Sequence, residues 1–202
     1  GLPMDDLWRI TRSMAEAARN AGVPIVTGDT KDVDRGKGDG IFVNVSGVGV
    51  VPEGVEVSPR RAAPGDVLLV SGAIAQHGIA IMALREGLEF GTTVKTDSAP
   101  LNGMVASLTS ALGRDVHVLR DPTRGGVASV LNEIAKAAGT GVEIVEAAFP
   151  IAEEVRGACE ILGLDPLYVA NEGKLLAFVA RGRADEALAL GYAQAAEIWQ
   201  EK

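Results

Sequence analysis

Apolar positions recur along this chain with two different periods. Leu7, Ile10, Met14, Ala17 and Ala18 follow one another at helical spacing. Pro3 with Asp5 and Asp6 forms a helix start, and Asn20-Ala21-Gly22 a helix end. Val23 to Val26 then reads as a short buried strand, followed by Gly28-Asp29-Thr30-Lys31. The charged, glycine-rich stretch Asp32 to Gly40 is expected in an exposed loop, and Ile41 to Val51 reads as a long strand. Its Phe42-Val43-Asn44-Val45-Ser46 portion alternates in part.

Pro52 to Pro64 has three prolines, two arginines and two glutamates and reads as a linker. Beyond it, strands are predicted at Asp66–Val70, Val116–Leu119, Gly141–Val145 and Lys174–Ala180. Helices are predicted at His77–Arg85, Pro100–Leu112, Val127–Ala138, Ile151–Leu162 and Arg183–Leu190, with a polar loop between Arg85 and Pro100. Such alternation predicts an α/β or mixed α+β protein. Neither a fixed-period repeat nor a low-complexity tract is present.

Composition narrows the class. Aromatics make up only 4% while glycines number 25 among 202 residues, which suits an α/β protein with many tight turns better than a β-sandwich. The net charge of −8, without a basic stripe, argues against nucleic-acid binding but leaves nucleotides open, through backbone amides and a divalent cation. The single cysteine, Cys159, excludes a disulfide framework and a cysteine-built zinc site, and is expected to be a small buried hydrophobe. No run is long enough to span a membrane and no signal peptide opens the chain, so a cytoplasmic location is the expectation. An opening of Gly1-Leu2-Pro3, without an initiator methionine, reads as that of a fragment.

Three junctions carry candidate chemistry. Arg120-Asp121-Pro122-Thr123-Arg124-Gly125-Gly126 lies where a strand hands over to a helix. Backbone N–H groups at a helix N-terminus hold anions, and glycines admit close approach of a ligand. Asp121 is a hard donor for a metal ion, and Thr123 and Arg124 suit phosphate oxygens. The competing reading is a plain helix cap. Gly28-Asp29-Thr30-Lys31 repeats this chemistry, with Asp29 for Mg²⁺, Thr30 for phosphate and Lys31 as a charge or base; its competing reading is a turn. Asn171-Glu172-Gly173-Lys174 places a glutamate at a strand start, where it suits a general base, against the alternative of an ordinary turn. The first two loops are expected to face one cleft. His77, His117 and Asp165-Pro166 read as structural or surface features.

Taken in order, these motifs together with Gly65-Asp66-Val67-Leu68-Leu69-Val70-Ser71-Gly72, His77-Gly78 and Val155-Arg156-Gly157-Ala158-Cys159 closely resemble the HypE-type hydrogenase expression/formation proteins. That group sits in the superfamily of aminoimidazole ribonucleotide synthetase, selenophosphate synthetase and thiamine-monophosphate kinase. The resemblance runs from residue 1 to about Leu190. It implies a two-domain PurM-like α/β fold. Residues 1–52 would be the C-terminal half of an N-terminal ATP-binding domain, and 60–202 most of a C-terminal domain. It also implies a homodimer with Ile41 to Val51 near the interface, a carbamoyltransferase partner (HypF) and a HypC–HypD iron-assembly complex as acceptor.

The activity implied is ATP-dependent dehydration of a cysteine-bound carbamoyl group to a thiocyanate, as cyanide donor for the iron of a [NiFe]-hydrogenase. Lys31 and Glu172 would serve positioning and proton transfer, Asp29 and Asp121 would hold Mg²⁺, and Thr30, Thr123, Arg124, Gly125 and Gly126 would bind ATP phosphates. Two other readings stay open: a small-molecule kinase or synthetase of the same superfamily, and an inactive truncated scaffold. This chain departs from the family in lacking its N-terminal glycine-rich and aspartate segment and its terminal cysteine, ending instead Trp199-Gln200-Glu201-Lys202. The expectation is therefore that the chain makes no thiocyanate alone. With carbamoyl phosphate, ATP and the carbamoyltransferase supplied, mass spectrometry should find Cys159 unmodified; a cyanylated Cys159 would overturn this.

Overall fold

A computed structural model of the chain describes residues 2–34, 36–38, 40–87 and 94–190. The tail Trp199–Lys202 and part of the loop expected after Arg85 lie outside the described residues. The chain divides into two units, Gly1–Val51 and Pro52–Lys202.

In the first unit, helix α1 runs over Met4–Asn20, with Asp5 and Asp6 in its first turn and Arg19 in its last. Both charges oppose the helix dipole at their own end. Gly22, at φ 64, follows the helix, its N–H donating to the Arg19 carbonyl. None of the residues of α1 is buried. The strands expected at Val23–Val26 and Ile41–Val51 do not form among the described residues. Phe42 is 79% exposed and Val45, Val48 and Val50 are exposed with it. The residue types favour β structure. A strand, however, also needs a neighbouring backbone to accept its ladder hydrogen bonds and a layer to cover its apolar face. None of the described residues of this unit supplies either.

The second unit is built on a three-stranded antiparallel sheet of β1 (Val67–Val70), β2 (Val116–Arg120) and β3 (Leu176–Val179), in the order β1-β3-β2. Central β3 is buried on both faces, which explains its unbroken apolar sequence. Alternation then sorts its side chains. Leu176 and Phe178 meet Val118 and helix α4 (Gly126–Ala138), whose Val127, Val130, Leu131 and Ile134 recur at i, i+3, i+4 and i+7. Leu175, Ala177 and Val179 meet Met104, Leu108 and Leu112 of α3 (Asn102–Leu112). Ala187 joins them from the helical stretch 184–190. Helices α2 (Gln76–Glu86) and α5 (Glu153–Leu162) share a third cluster of Ala75, Ile79, Val155, Ala158, Cys159 and Val169.

Two more expectations are corrected. Gly141–Val145 is not a strand, although Val142 and Ile144 pack against the α4 cluster; the alternation is real, but no ladder accompanies it. Nor is the whole of Pro52–Pro64 a free linker. Pro59–Arg61 forms a 3₁₀ turn capped by Ser58, and the Ser58 N–H donates to the His117 carbonyl. Arg61 donates to the Arg114 carbonyl at 2.8 Å, and Ala62 is buried in the core. Asp66 lies outside β1, and its carboxylate accepts from Ala63 N–H and pairs with His117 Nδ1 at 2.8 Å. Leu176 touches both neighbouring strands and α4, so Leu176→Ala should cost about 2–5 kcal/mol of stability, read as a lower urea midpoint at unchanged slope.

Candidate functional site

The register of the sheet brings three loops together. Val70 and Arg120 both pair with Leu176, so the C-terminal ends of β1 and β2 lie beside the N-terminal end of β3. The segments leaving or entering there are 71–75, 121–125 and 171–175. Ser71 N–H donates to the Leu175 carbonyl, and Leu175 N–H donates to Ser71 Oγ at 2.9 Å.

The expected strand–turn–helix junction at Arg120–Gly126 is present. The Arg120 guanidinium pairs with the neighbouring Asp121 carboxylate and, at 3.7 Å, with Glu133. Asp121 is exposed, so this pairing is weak and another cation can compete for the carboxylate. Thr123 is half-buried, and its carbonyl accepts from Gly126 N–H at 3.2 Å. Arg124 is exposed and forms no ion pair with another described residue.

The two glycines differ in what surrounds them. Gly125 (φ 69) and Gly126 (φ 65) both take left-handed backbone. A Cβ on Gly126 would sit 2.4 Å from the Leu167 carbonyl oxygen and 2.7 Å from that of Val169. The close approach at Gly126 is therefore made by the protein's own backbone, and its N–H is already engaged. Gly125 is exposed, and a Cβ there would collide with Ser129.

The turn 171–174 carries Glu172 exposed, with no hydrogen bond or ion pair to another described residue. Asn171 and Lys174 of the same turn are buried. Asn171 Oδ1 accepts from Ala75 N–H at 2.7 Å, and Nδ2 donates to the carbonyls of Pro122 and Val169, each at 3.0 Å. Lys174 Nζ lies 2.5 Å from Asp97 Oδ2, with the two side chains 3% and 2% exposed. Sequence reasoning passed over Asn171 and this pair as functional elements. Asn171 and Lys174 flank Glu172 in the quoted motif, whereas Asp97 sits in a polar stretch with nothing to mark it as buried. His77, at the start of α2, bonds Thr96 Oγ1 through Nδ1 at 2.8 Å, in keeping with a satisfied histidine.

In the first unit Asp29, Thr30 and Lys31 are all exposed, and Thr30 N–H donates to Asp29 Oδ1 at 2.8 Å. They follow residues without regular secondary structure rather than a strand end. Among the described residues, no three His, Cys, Asp or Glu side chains gather as a metal cluster, and no helix is long and apolar enough to cross a membrane.

The sequence matches the AIR synthase related protein N-terminal domain over residues 1–51 and the C-terminal domain over 63–200. The chain belongs to the AIR synthase related family. Within that family it is similar to carbamoyl dehydratase HypE of Azotobacter vinelandii, 55% identical over 188 residues, covering 93% of this chain and 55% of the relative. It is also similar to a crystal structure of a HypE–HypF complex, at 51% identity and a TM-score of 0.92, covering 95% of this chain and 62% of that one. A HypE structure in complex with ATP matches at 47% identity and a TM-score of 0.84, covering 95% and 57%. The HypE-type resemblance, the mixed α/β class and the AIR synthase-like architecture are thus borne out. The chain spans about half the length of the curated relatives it matches.

Cys159 is 1% exposed on α5, as expected of a small core residue. Burial pushes its thiol pKa up, the Asp165 charge adds to this and Arg156 opposes it. The reactive thiolate is therefore scarcer than in a free cysteine. A thiol reagent at pH 8 should leave Cys159 unlabelled in the native chain and label it in urea; rapid native labelling would contradict this placement.

Proposed function

We propose that this chain is part of an ATP-dependent carbamoyl dehydratase that serves [NiFe]-hydrogenase maturation. The observation that carries this reading is the meeting of Asp121-Pro122-Thr123-Arg124 and Asn171-Glu172-Gly173-Lys174 at one end of the sheet, in a chain 55% identical to a carbamoyl dehydratase. That identity favours dehydration over a small-molecule kinase or synthetase of the superfamily. The first unit is then the C-terminal half of an ATP-binding domain, and residues from 60 onward the C-terminal domain.

The chemistry demanded is specific. A thiocarboxamide, RS–C(=O)–NH₂, must lose oxygen, which is a poor leaving group. Its carbonyl oxygen takes the γ-phosphoryl of ATP and ADP departs. The nitrogen then loses its protons as the C–O bond breaks, leaving RS–C≡N and phosphate. Glu172 is the proton acceptor, being an exposed carboxylate on a fixed turn. Lys31 supplies positive charge, and Thr30, Thr123, Arg124 and the exposed Gly125 turn bind phosphate oxygens. Gly126 drops out of this set, since its N–H and its open side are already occupied by protein.

Asp29 and Asp121 are hard, exposed donors that fit Mg²⁺, which takes one or two carboxylates alongside phosphates and water and needs no acidic cluster. When bound, Mg²⁺ supplies charge neutralisation at the phosphates. The proposal includes HypF as the source of the carbamoyl group, a HypC–HypD complex as cyanide acceptor, and a cytoplasmic location in keeping with ATP as cosubstrate. It also includes a homodimer with the exposed apolar stretch 41–51 near its interface.

The test uses a chimera in which this chain replaces the matching 188 residues of the Azotobacter vinelandii relative. Glu172→Ala and Lys31→Ala should each leave the melting temperature nearly unchanged, as exposed positions do. Dehydration, followed by mass spectrometry of the carbamoylated cysteine, should fall by about two orders of magnitude or more. A variant that dehydrates at the parental rate removes that residue from the mechanism.

A further inference from the structure

We infer that Asn171 is a positioning residue that holds Glu172 against the Thr123–Arg124 loop. The inference rests on the reading of Glu172 as the proton acceptor. Glu172 itself is exposed, but the backbone on either side of it is held tightly. On one side, Asn171 is 1% exposed and uses its whole amide. Oδ1 accepts from Ala75 N–H, while Nδ2 donates to the carbonyls of Pro122 and Val169. Its own backbone N–H also donates to the Pro122 carbonyl, at 3.1 Å. On the other side, Gly173 takes φ 64 with the 97–99 backbone packed against it, where a Cβ would lie 2.3 Å from Ala99 N. Lys174 follows, anchored on Asp97.

This set of partners selects asparagine over its neighbours in chemistry. Three groups converge on the side chain: one N–H donor and two carbonyl acceptors. An amide offers one acceptor and two donors in a plane and satisfies all three. A carboxylate would face two carbonyl oxygens, and alanine would remove the partner of the Ala75 N–H and of the Val169 carbonyl, leaving the Pro122 carbonyl only the backbone N–H of residue 171. One side chain thereby ties together the loop after β1, the loop after β2 and the turn before β3.

The contact with Ala75 adds a second signature. Ala75, at φ 71, is the one non-glycine described residue in left-handed backbone, and it sits at the N-terminus of α2 without a side-chain cap. Its N–H bond to Asn171 helps hold that conformation. A glycine at position 75 would adopt the same φ freely. Ala75→Gly therefore separates the two tasks of Asn171, since it relieves the fold of one while leaving the tie to Pro122 to be tested.

The experiment is a double-mutant cycle in the same chimera, in the Ala75→Gly background, with Asn171→Ala, Glu172→Gln and the two combined. Asn171→Ala should lower kcat for dehydration roughly 10–100-fold, the scale of a misplaced reacting group, with the KM for ATP within about twofold of parent. The combined variant should be no slower than Glu172→Gln alone, because a residue acting through Glu172 has nothing left to position. Effects of Asn171→Ala and Glu172→Gln that multiply, a parental kcat in Asn171→Ala, or an Asn171→Ala chain that does not fold even with glycine at 75 would each overturn the inference while leaving Glu172 as proton acceptor. A parental rate in Glu172→Gln alone would overturn the reading of Glu172 and this inference with it.

Discussion

Antiparallel pairing of β3 with both of its neighbours is the constraint on which the rest of the second unit depends. Because Val70 and Arg120 share Leu176 as partner, the chain leaves β1 and β2 at the same end at which it enters β3. Three loops from distant stretches of sequence are thereby placed side by side. The buried faces of the same strands carry the core, with α4 on one side and α3 on the other. Stability and site geometry thus come from one set of hydrogen bonds. The polar loops can vary in chemistry without disturbing the packing below them.

The site end of this sheet is unusually rich in buried polar groups. Asn171 and the Asp97–Lys174 pair are all within a few per cent of complete burial. Burying ions costs desolvation energy that their mutual attraction rarely exceeds by much, so the pair is poor evidence for stability as such. Its effect is rather on uniqueness. Removing either partner alone would leave a buried charge, at a cost of about 3–5 kcal/mol. The pair ties the end of the turn that carries Glu172 to the segment around Asp97. Asn171 acts the same way without net charge, because its amide is fully matched by three backbone groups. Glu172 is left exposed between these buried anchors, the kind of support that its proposed role requires.

The first unit obeys different physics. Its helix α1 has acidic and basic ends suited to its dipole, yet none of its residues is buried, and the valines of 41–51 face solvent. None of the described residues of this unit is buried, so burial among them does not offset the conformational entropy of folding. Its exposed valines form an apolar surface open to further contact.

Much of this was legible in the sequence by itself. The helical periods of α1, α3, α4 and α5 and the three strands of the sheet were readable because a helix or a fully buried strand writes its environment into a local pattern. The motifs around Asp121 and Glu172 were readable for a similar reason: a strand end followed by glycine and polar residues is a local signal. Partnership was not local. Whether Val23–Val26, Ile41–Val51 and Gly141–Val145 become strands depends on a second backbone that no window of sequence contains. By sequence Gly126 makes room for a ligand, whereas the carbonyls of Leu167 and Val169 occupy that room from some forty residues away. Asp97 lies in a stretch that is simply a polar loop by sequence, and only the fold buries it against Lys174. Local chemistry is a property of neighbours along the chain; burial, pairing and the hydrogen bonds of Asn171 are properties of neighbours in space, and these the tertiary structure alone decided.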